Sequence, residues 1–485
     1  MDGVMRTGMC GFWFLSAAVA AILLRCASLD VDPVVPGGKG EEHLRIPHDL
    51  STTTALAMSG DGSLLAAGKS RGALAVWSLK NGELMFSGDI GNAGIVSILI
   101  SSDNSYLVIG MDNGFVILWD IPSKKTRRVI IKEDKGTSCC CVDMFRYARS
   151  FKPKISTLSL VNRDKYFFIG RKNGVFQMFP LDGNATTNEL QFKNLNCLQS
   201  SSGDGKGEVV VLAGCRFLSR TVTVYRDHYS GKEKIVADTD LATDIADRAL
   251  KIESSYRKQE FYTGTMILMK DPGGSGSLTY GEKVDLKNPS TVSAVAVLPG
   301  GKGIISLTRY DQKGLSTLRL HGMDLTVQSS IEYPGDHDSN WLRIPSAVSY
   351  SHSGDIIACA GSRGVVHIVS VKGKSLIKIR DILVKKESSV SSVALSKDGK
   401  ILFTGNNSSP AVEMYQVSTG KKIAALVYGN ASDWIIHSTD GFLDGKGVLF
   451  KKSVMVVHGK EIPLPLRDGR YYRRGLLGEL VNTVH

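Results

Sequence analysis

Catalysis by this 485-residue chain would need nucleophiles, acids or ligands in a pattern that a scaffold can bring together. The richest stretch is DWIIHSTDGFLDGKG, residues 433–447, which sets Asp433, Asp440 and Asp444 around His437. Three carboxylates and an imidazole could do acid–base work or hold a metal. Beside AMSGDGSLLAAG (57–68) and ALSKDGKILFTG (394–405), however, its STDGFLDG shows the same strand, Asp-Gly corner and apolar restart. Asp440 is therefore expected as a turn former, and His437 as a strand-end residue with no nucleophile to activate.

The other candidates reduce in the same way. GKSRG, Gly68 to Gly72, fits Gly-x-Ser-x-Gly but joins two short strands rather than a strand to a helix, so Ser70 reads as a turn residue. The His-Glu-x-x-His helix and the Gly-x-x-x-x-Gly-Lys-Ser/Thr loop are absent from the sequence. His43 and His48 read as solvated. Asp61, Asp103, Asp355 and Asp398 fall at corresponding corners, one per unit. There a short carboxylate bonds its own backbone, whereas calcium needs several oxygen ligands in one loop. The run Cys139-Cys140-Cys141 lacks the two-residue gap of zinc loops and reads as half-buried strand, and the eight cysteines show no regular disulfide framework. No catalytic, cofactor-binding or metal-ligating residue is assigned, and no cofactor is expected.

The elements that would position such residues are repetitive. With 42% hydrophobic and 22% charged residues the chain can bury a large core, and no long linker divides it. Its formal charge of +12 permits acidic partners, but the basic residues lie in short, scattered groups that read as solvated surface. Residues 1–26 differ. Arg6 precedes the apolar run Met9–Leu24, which is shorter than the ~20 residues of a spanning helix and suits a signal peptide or N-terminal anchor. Leu23-Leu24-Arg25-Cys26 resembles a bacterial lipoprotein processing site, which implies lipidation of Cys26. Export to the periplasm or a membrane-anchored state is the expectation, with residues 27–42 as a linker.

From residue 53 a unit recurs: TTALAMSGDGSLLAAGKSRGALAVWSL (53–79) is repeated by IVSILISSDNSYLVIGMDNGFVILWDI (95–121). Weaker copies begin at residues 155, 208, 261, 292, 345 and 390, with Trp77, Trp119, Phe179, Tyr225 and Tyr415 in the aromatic place. Alternating strands joined by Asn, Asp and Gly turns cannot bury a face alone and must stack. Units of about 40–50 residues with four strands predict an all-β fold, a β-propeller of seven or eight four-stranded blades with a C-terminal extension. Residues 43–428 would form the propeller and 429–485 the extension packed on it. HLRIP, residues 43–47, is expected to close the ring by pairing with the final blade.

Trp119-Asp120 is the cleanest mark of a resemblance to the WD-repeat (WD40) family over residues 44–428. The resemblance implies a non-enzymatic protein-interaction scaffold, here a subunit of a cell-envelope complex with protein partners and possible membrane attachment through the N-terminus. Nucleic acid and small-molecule substrates are not expected. A quinoprotein-like propeller enzyme is the alternative, which five tryptophans hardly supply. Two segments exceed the repeat, about 132–154 and about 233–260. The second reads as an added surface helix or a divergent strand region. The candidate partner surface comprises the loop residues Lys69, Arg71, Asp112, Arg171, Lys172, Arg363 and Asn406, with Arg146, Arg149 and Lys152 of the first insertion.

The tail carries a second resemblance. Trp434, Gly441, Phe442, Asp444 and Gly445, then Tyr471-Tyr472-Arg473 and Gly475-Leu476-Leu477, resemble the C-terminal element of bacterial WD-repeat proteins, some fused to a caspase-like peptidase. The peptidase's Gln-Ala-Cys-Arg-Gly loop is absent, so proteolysis is not implied. Leu476, Leu477, Leu480 and Val481 are spaced for a short helical face that would cover the propeller.

Overall fold

A computed structural model describes residues 28–31, 42–47, 51–130, 155–161, 166–171, 175–181, 189–191, 195–203, 208–227, 233–237, 252–271, 279–285, 290–310, 315–333, 347–360, 364–386, 389–406, 409–429, 433–457, 460–463 and 471–483. These residues form eight antiparallel sheets, seven of which follow one another along the chain. The first sheet contains Thr53–Met58, Leu64–Lys69, Ala73–Ser78 and Leu84–Asp89. The second contains Ile95–Ile100, Tyr106–Met111, Val116–Asp120 and Lys125–Ile130. In both, burial is greatest in the middle strands, so Leu64–Lys69 is buried throughout while Lys125–Ile130 is largely exposed. Small and β-branched residues fill the middle strands because both of their faces are covered.

The third sheet spans Ile155 to Gln191 and the fifth Ser290 to Tyr333. The sixth ends on the hairpin Val365–Lys372 and Ser375–Leu383. The fourth accounts for the uncertain repeat number. Its strands Glu208–Asp227 and Ile252–Asp271 pair along their whole length, so the units beginning at 208 and 261 are halves of one sheet. Of the segment about 233–260, Glu233–Ala237 and Ile252 onward are strand, while the helical reading of 242–250 lies outside the described residues.

The seventh sheet has six strands: Val390–Leu395, Ile401–Asn406, Ser409–Gln416, Lys422–Tyr428, Trp434–Ser438 and Leu443–Lys446. The tail thus continues the sheet before turning into helix α1 (Gly447–Lys452), and helix α2 (Leu476–Thr483) ends the described chain. This overturns the expected role of residues 43–47. The edge of Lys422–Tyr428 is already taken by Trp434–Ser438, and Glu42–Pro47 instead pairs with Ser28–Val31 and Val454–Val457 in the eighth sheet. Residues 27–42, read as a linker, therefore include a strand, Ser28–Val31.

The first strand of each of the seven sheets packs against the first strand of the next, and that of the seventh against that of the first. Glycine sets the approach. A methyl at Gly68 would lie 2.4 Å from Ile95 of the second sheet, and one at Gly110 would lie 3.2 Å from Leu158 of the third. At the equivalent Gly405 of the seventh sheet it would lie 2.8 Å from Thr53 of the first. Apolar cores fill the gaps between sheets, and the one between the seventh and first holds Trp77, Phe403, Tyr428 and Trp434.

Candidate functional site

The stretch 433–447 is built into packing at each position that looked chemical. Asp433 Oδ1 accepts from the amide of Leu449 at 2.6 Å and so caps α1. Gly447, at φ +89°, has to be glycine because a Cβ would meet that carboxylate at 2.6 Å. His437 lies within Trp434–Ser438 rather than at a strand end, only 3% exposed, and burial brings its imidazole down to about 4. It is a neutral core residue at ordinary pH. Asp440 occupies the turn, where Phe442 donates its amide to Ser438 Oγ at 3.1 Å.

Asp444 is the tail's central polar group. Its Oδ2 accepts from the amides of Gly475 at 2.7 Å and Leu476 at 3.3 Å, capping α2, while Oδ1 accepts from the amide of Gly445. Burial raises its carboxyl, partly offset by these bonds and one from Tyr472. Arg473 adds an amide bond to the Leu443 carbonyl at 2.8 Å, and its guanidinium lies 3.5 Å from the centre of the Phe442 ring. α2 then buries Leu476 and Leu477 against Trp77 and Leu79 of the first sheet, with Leu480 and Val481 partly buried beside them, as their spacing predicts. Tyr471 is half-buried and Tyr472 exposed.

The corner carboxylates are turn formers by geometry. Ser59 Oγ donates to Asp61 at 2.6 Å and accepts from the amide of Leu64, and Ser101 with Asp103 and Ser396 with Asp398 repeat this. Burial pulls Asp61 upward, but bonds from Ser59, Ser63 and Asn104 outweigh it and hold the carboxyl far below its usual range. Ser101 and Ser105 do the same for Asp103. Asp355 departs from the expectation. Ser353 takes the corner place, bonded to Ser351, and Asp355 pairs with Lys302 of the fifth sheet instead. The Ser-x-Asp spacing at 59–61, 101–103 and 396–398 was visible in sequence and would have named the serine partners.

Of the candidate partner surface, Arg71 is exposed and Asp112 half-buried on equivalent turns of the first and second sheets. Two assignments need correction. Lys69 is 1% exposed and Asn406 fully buried, because the position after the recurring glycine (Gly68, Gly405) ends a middle strand; Met111, after Gly110, is buried there as well. Arg171 ends the strand Tyr166–Arg171, but its side chain lies outside the described residues, as do Lys172, Arg363, Arg146, Arg149 and Lys152. The N-terminal segment 1–26 with Cys26, and Cys139–Cys141, also lie outside them. Ser70 holds the turn by accepting from the Thr52 amide at 3.1 Å.

Trp77, Trp119, Phe179 and Tyr415 of the repeat aromatics are core residues, while the side chain of Tyr225 lies outside the described residues. Trp77 meets Tyr428 edge-on at 5.2 Å, Trp119 tilts on Phe86 at 4.7 Å, and Phe179 stacks on Phe167 at 5.4 Å. Tyr415 is buried, and Tyr225 lies on Glu208–Asp227. Among the described residues no three His, Cys, Asp or Glu side chains are grouped to hold a metal, and no helix is long and apolar enough to cross a membrane.

Residues 82–120, which run from the last strand of the first sheet through the third strand of the second, match the family described as WD domain, G-beta repeat. This is a module that characteristically mediates protein–protein interaction without catalysis. A comparison with curated proteins finds no match. Similar solved structures include "Structure of U3-55K" (TM-score 0.48, 14% identity, covering 77% of this chain and 92% of that one). "Crystal structure of RRP9 WD40 repeats" has a TM-score of 0.47 at 14% identity, covering 78% and 92%. "Crystal Structure of Mitotic Checkpoint Complex" has 0.47 at 16%, covering 80% and 94%. These scores are too low to bear on function.

Proposed function

We propose that the seven consecutive sheets are the blades of one closed propeller, and that the chain is a non-enzymatic protein-interaction scaffold of the cell envelope. One observation carries the closed ring. Thr54 Oγ1 of the first sheet donates to the Ile95 carbonyl on the first strand of the second, and Ser391 Oγ, at the equivalent place in the seventh, donates to the Thr53 carbonyl of the first at 2.7 Å. The junction of last and first sheets therefore repeats an ordinary internal junction. A ring with no loose edge at that seam is a stiff support for exposed turns, and the WD40 repeat supports protein partners for it.

The envelope setting rests on the apolar run Met9–Leu24 and Cys26. The likeness of 434–480 to the tail of bacterial WD-repeat proteins supports a bacterial, peptidase-free member of that group. Cross-linking in isolated membranes, affinity purification and mass spectrometry of the mature N-terminus test both parts together. A processed or lipidated N-terminus with a recurring set of envelope proteins is expected. Recovery of an unprocessed chain alone from the soluble fraction would overturn the reading.

A further inference from the structure

Helix α1 is covered on one side only. Leu449 is buried in one core with Ile46 of the eighth sheet, and Phe450 is partly buried against it. Val448, Lys451 and Lys452, three and four residues apart, share the other side, where Val448 is 53% exposed and both lysines are exposed. Lys446, just ahead of the helix, is exposed as well, and Tyr472, 46% exposed, meets the edge of the Phe450 ring at 5.9 Å.

The exposed charge of this helix has one sign. Between Asp444 and Glu461 the sequence has four lysines and no acid. Asp433 lies close enough to Lys452 to feel its charge, but its carboxylate is held by the amides of Leu449 and Val448. Lysines set around an exposed valine, with a tyrosine at the margin, suit the boundary between anionic headgroups and acyl chains.

The register of the eighth sheet brings the start of the chain to the same place. Ser28 pairs with Pro47, and Arg45 pairs with Val454, two residues after the end of α1. Continuing that register sets Pro47 level with Lys452, so the backbone of Ser28 stands two strand spacings, about 10 Å, from the end of α1. The apolar run Met9–Leu24 ends four residues before Ser28. A segment that entered a membrane from Ser28 would hold α1 beside that membrane.

We propose that the exposed side of α1, formed by Val448, Lys451 and Lys452 with Lys446 ahead of them, is the face that the protein sets against an anionic lipid surface. The N-terminal run would supply the attachment and α1 the orientation. This deepens the envelope reading and rests on it.

The full chain is mixed with vesicles of phosphatidylcholine alone or with phosphatidylglycerol, and acetylation of its lysines is followed by mass spectrometry. Lys397 and Lys400 are exposed controls in a turn at the opposite end of the seventh sheet's strands. On phosphatidylglycerol vesicles Lys451 and Lys452 should react about fivefold more slowly than on phosphatidylcholine, with Lys397 and Lys400 unchanged. Lys446→Glu/Lys451→Glu should abolish the protection of Lys452, and so should high salt. Equal labelling on both vesicles, with the chain bound to both, would overturn the proposal and leave the N-terminal attachment standing. Protection of Lys451 and Lys452 without vesicles would also overturn it, since a second copy or another part of the chain would then cover α1. A chain that binds neither vesicle removes the attachment and the proposal together. One that binds only the phosphatidylglycerol vesicles, through these lysines, keeps the proposal and removes the N-terminal anchor.

Discussion

The ammonium of Lys69, in the first sheet, donates to the carbonyl of Tyr428, in the seventh, at 2.6 Å and lies 4.6 Å from the centre of that residue's ring. Ser87 repeats the link one strand pair further out, donating to the carbonyl of Gly429 at 2.7 Å. Both contacts cross the seam where the two ends of the repeat meet. A buried cation is costly unless its bonds and ring contact are kept, so Lys69 holds the seam in one register.

Lys69→Ala should therefore lower the free energy of unfolding by about 2–3 kcal/mol, through the lost bond and the space left. Arg71→Ala, two residues away and exposed, should change it by less than about 0.5 kcal/mol. Urea titrations of both variants make the comparison, and equal effects would remove the seam role.

Replacing the cap at Asp444 tests the tail. Asp444→Ala should cost about 1–2 kcal/mol, since the amides of Gly475 and Leu476 lose their acceptor. Asp444→Asn should cost less, because it keeps an oxygen and removes a charge that burial already penalises. Thermal melts of the pair give the order.

Gly478 approaches the first sheet so closely that a methyl there would lie 2.8 Å from the backbone nitrogen of Gly82. Alanine inside a helix is ordinarily favoured over glycine by about 1 kcal/mol. Gly478→Ala should nevertheless destabilise the protein, which only backbone-to-backbone docking of α2 explains. A raised melting temperature would mean that α2 does not dock there.

His437 supplies a pH dependence. Its folded value is about 4 against 6.5 for the free side chain, so the unfolded chain binds the extra proton between those values. Stability should be fully present above about pH 6.5 and fall as pH drops toward 4, by an amount on the order of 3 kcal/mol from this group. His321 and His367 are lowered by burial in the same direction, and Asp433 and Asp444, raised by burial, act oppositely at the acid end. The difference between native and His437→Leu chains isolates the contribution; identical pH profiles would show that His437 titrates normally.

Much of the fold was legible because its signals are local. Strand alternation, the Ser-x-Asp corners, the buried aromatics Trp77, Trp119 and Phe179, and the helical spacing of Leu476 to Val481 all act within one unit. What was misread depends on distant pairing. Nothing within Glu42–Pro47 announces Val454–Val457 as its partner, and nothing near residue 208 or 261 shows that the two units share a ladder. Lys69 misled because a lysine reads as surface, whereas its burial is decided by Tyr428, hundreds of residues away. Asp444 was named as a tail residue, but its two amide partners stand 31 and 32 residues further along the chain.

Residues after Gly429 brace the junction of the first and seventh sheets, with Trp434–Ser438 paired to Lys422–Tyr428 and α2 in the same apolar core as Trp77. Amide hydrogen exchange on the intact chain and on a chain ending at Gly429 tests it most directly, with melting temperatures measured alongside. Protection should fall in Ala73–Ser78 and Lys422–Tyr428, on the two sides of the seam, and the melting temperature should drop, while Val116–Asp120 in the second sheet keeps its protection. Unchanged protection across the seam together with an unchanged melting temperature would contradict it.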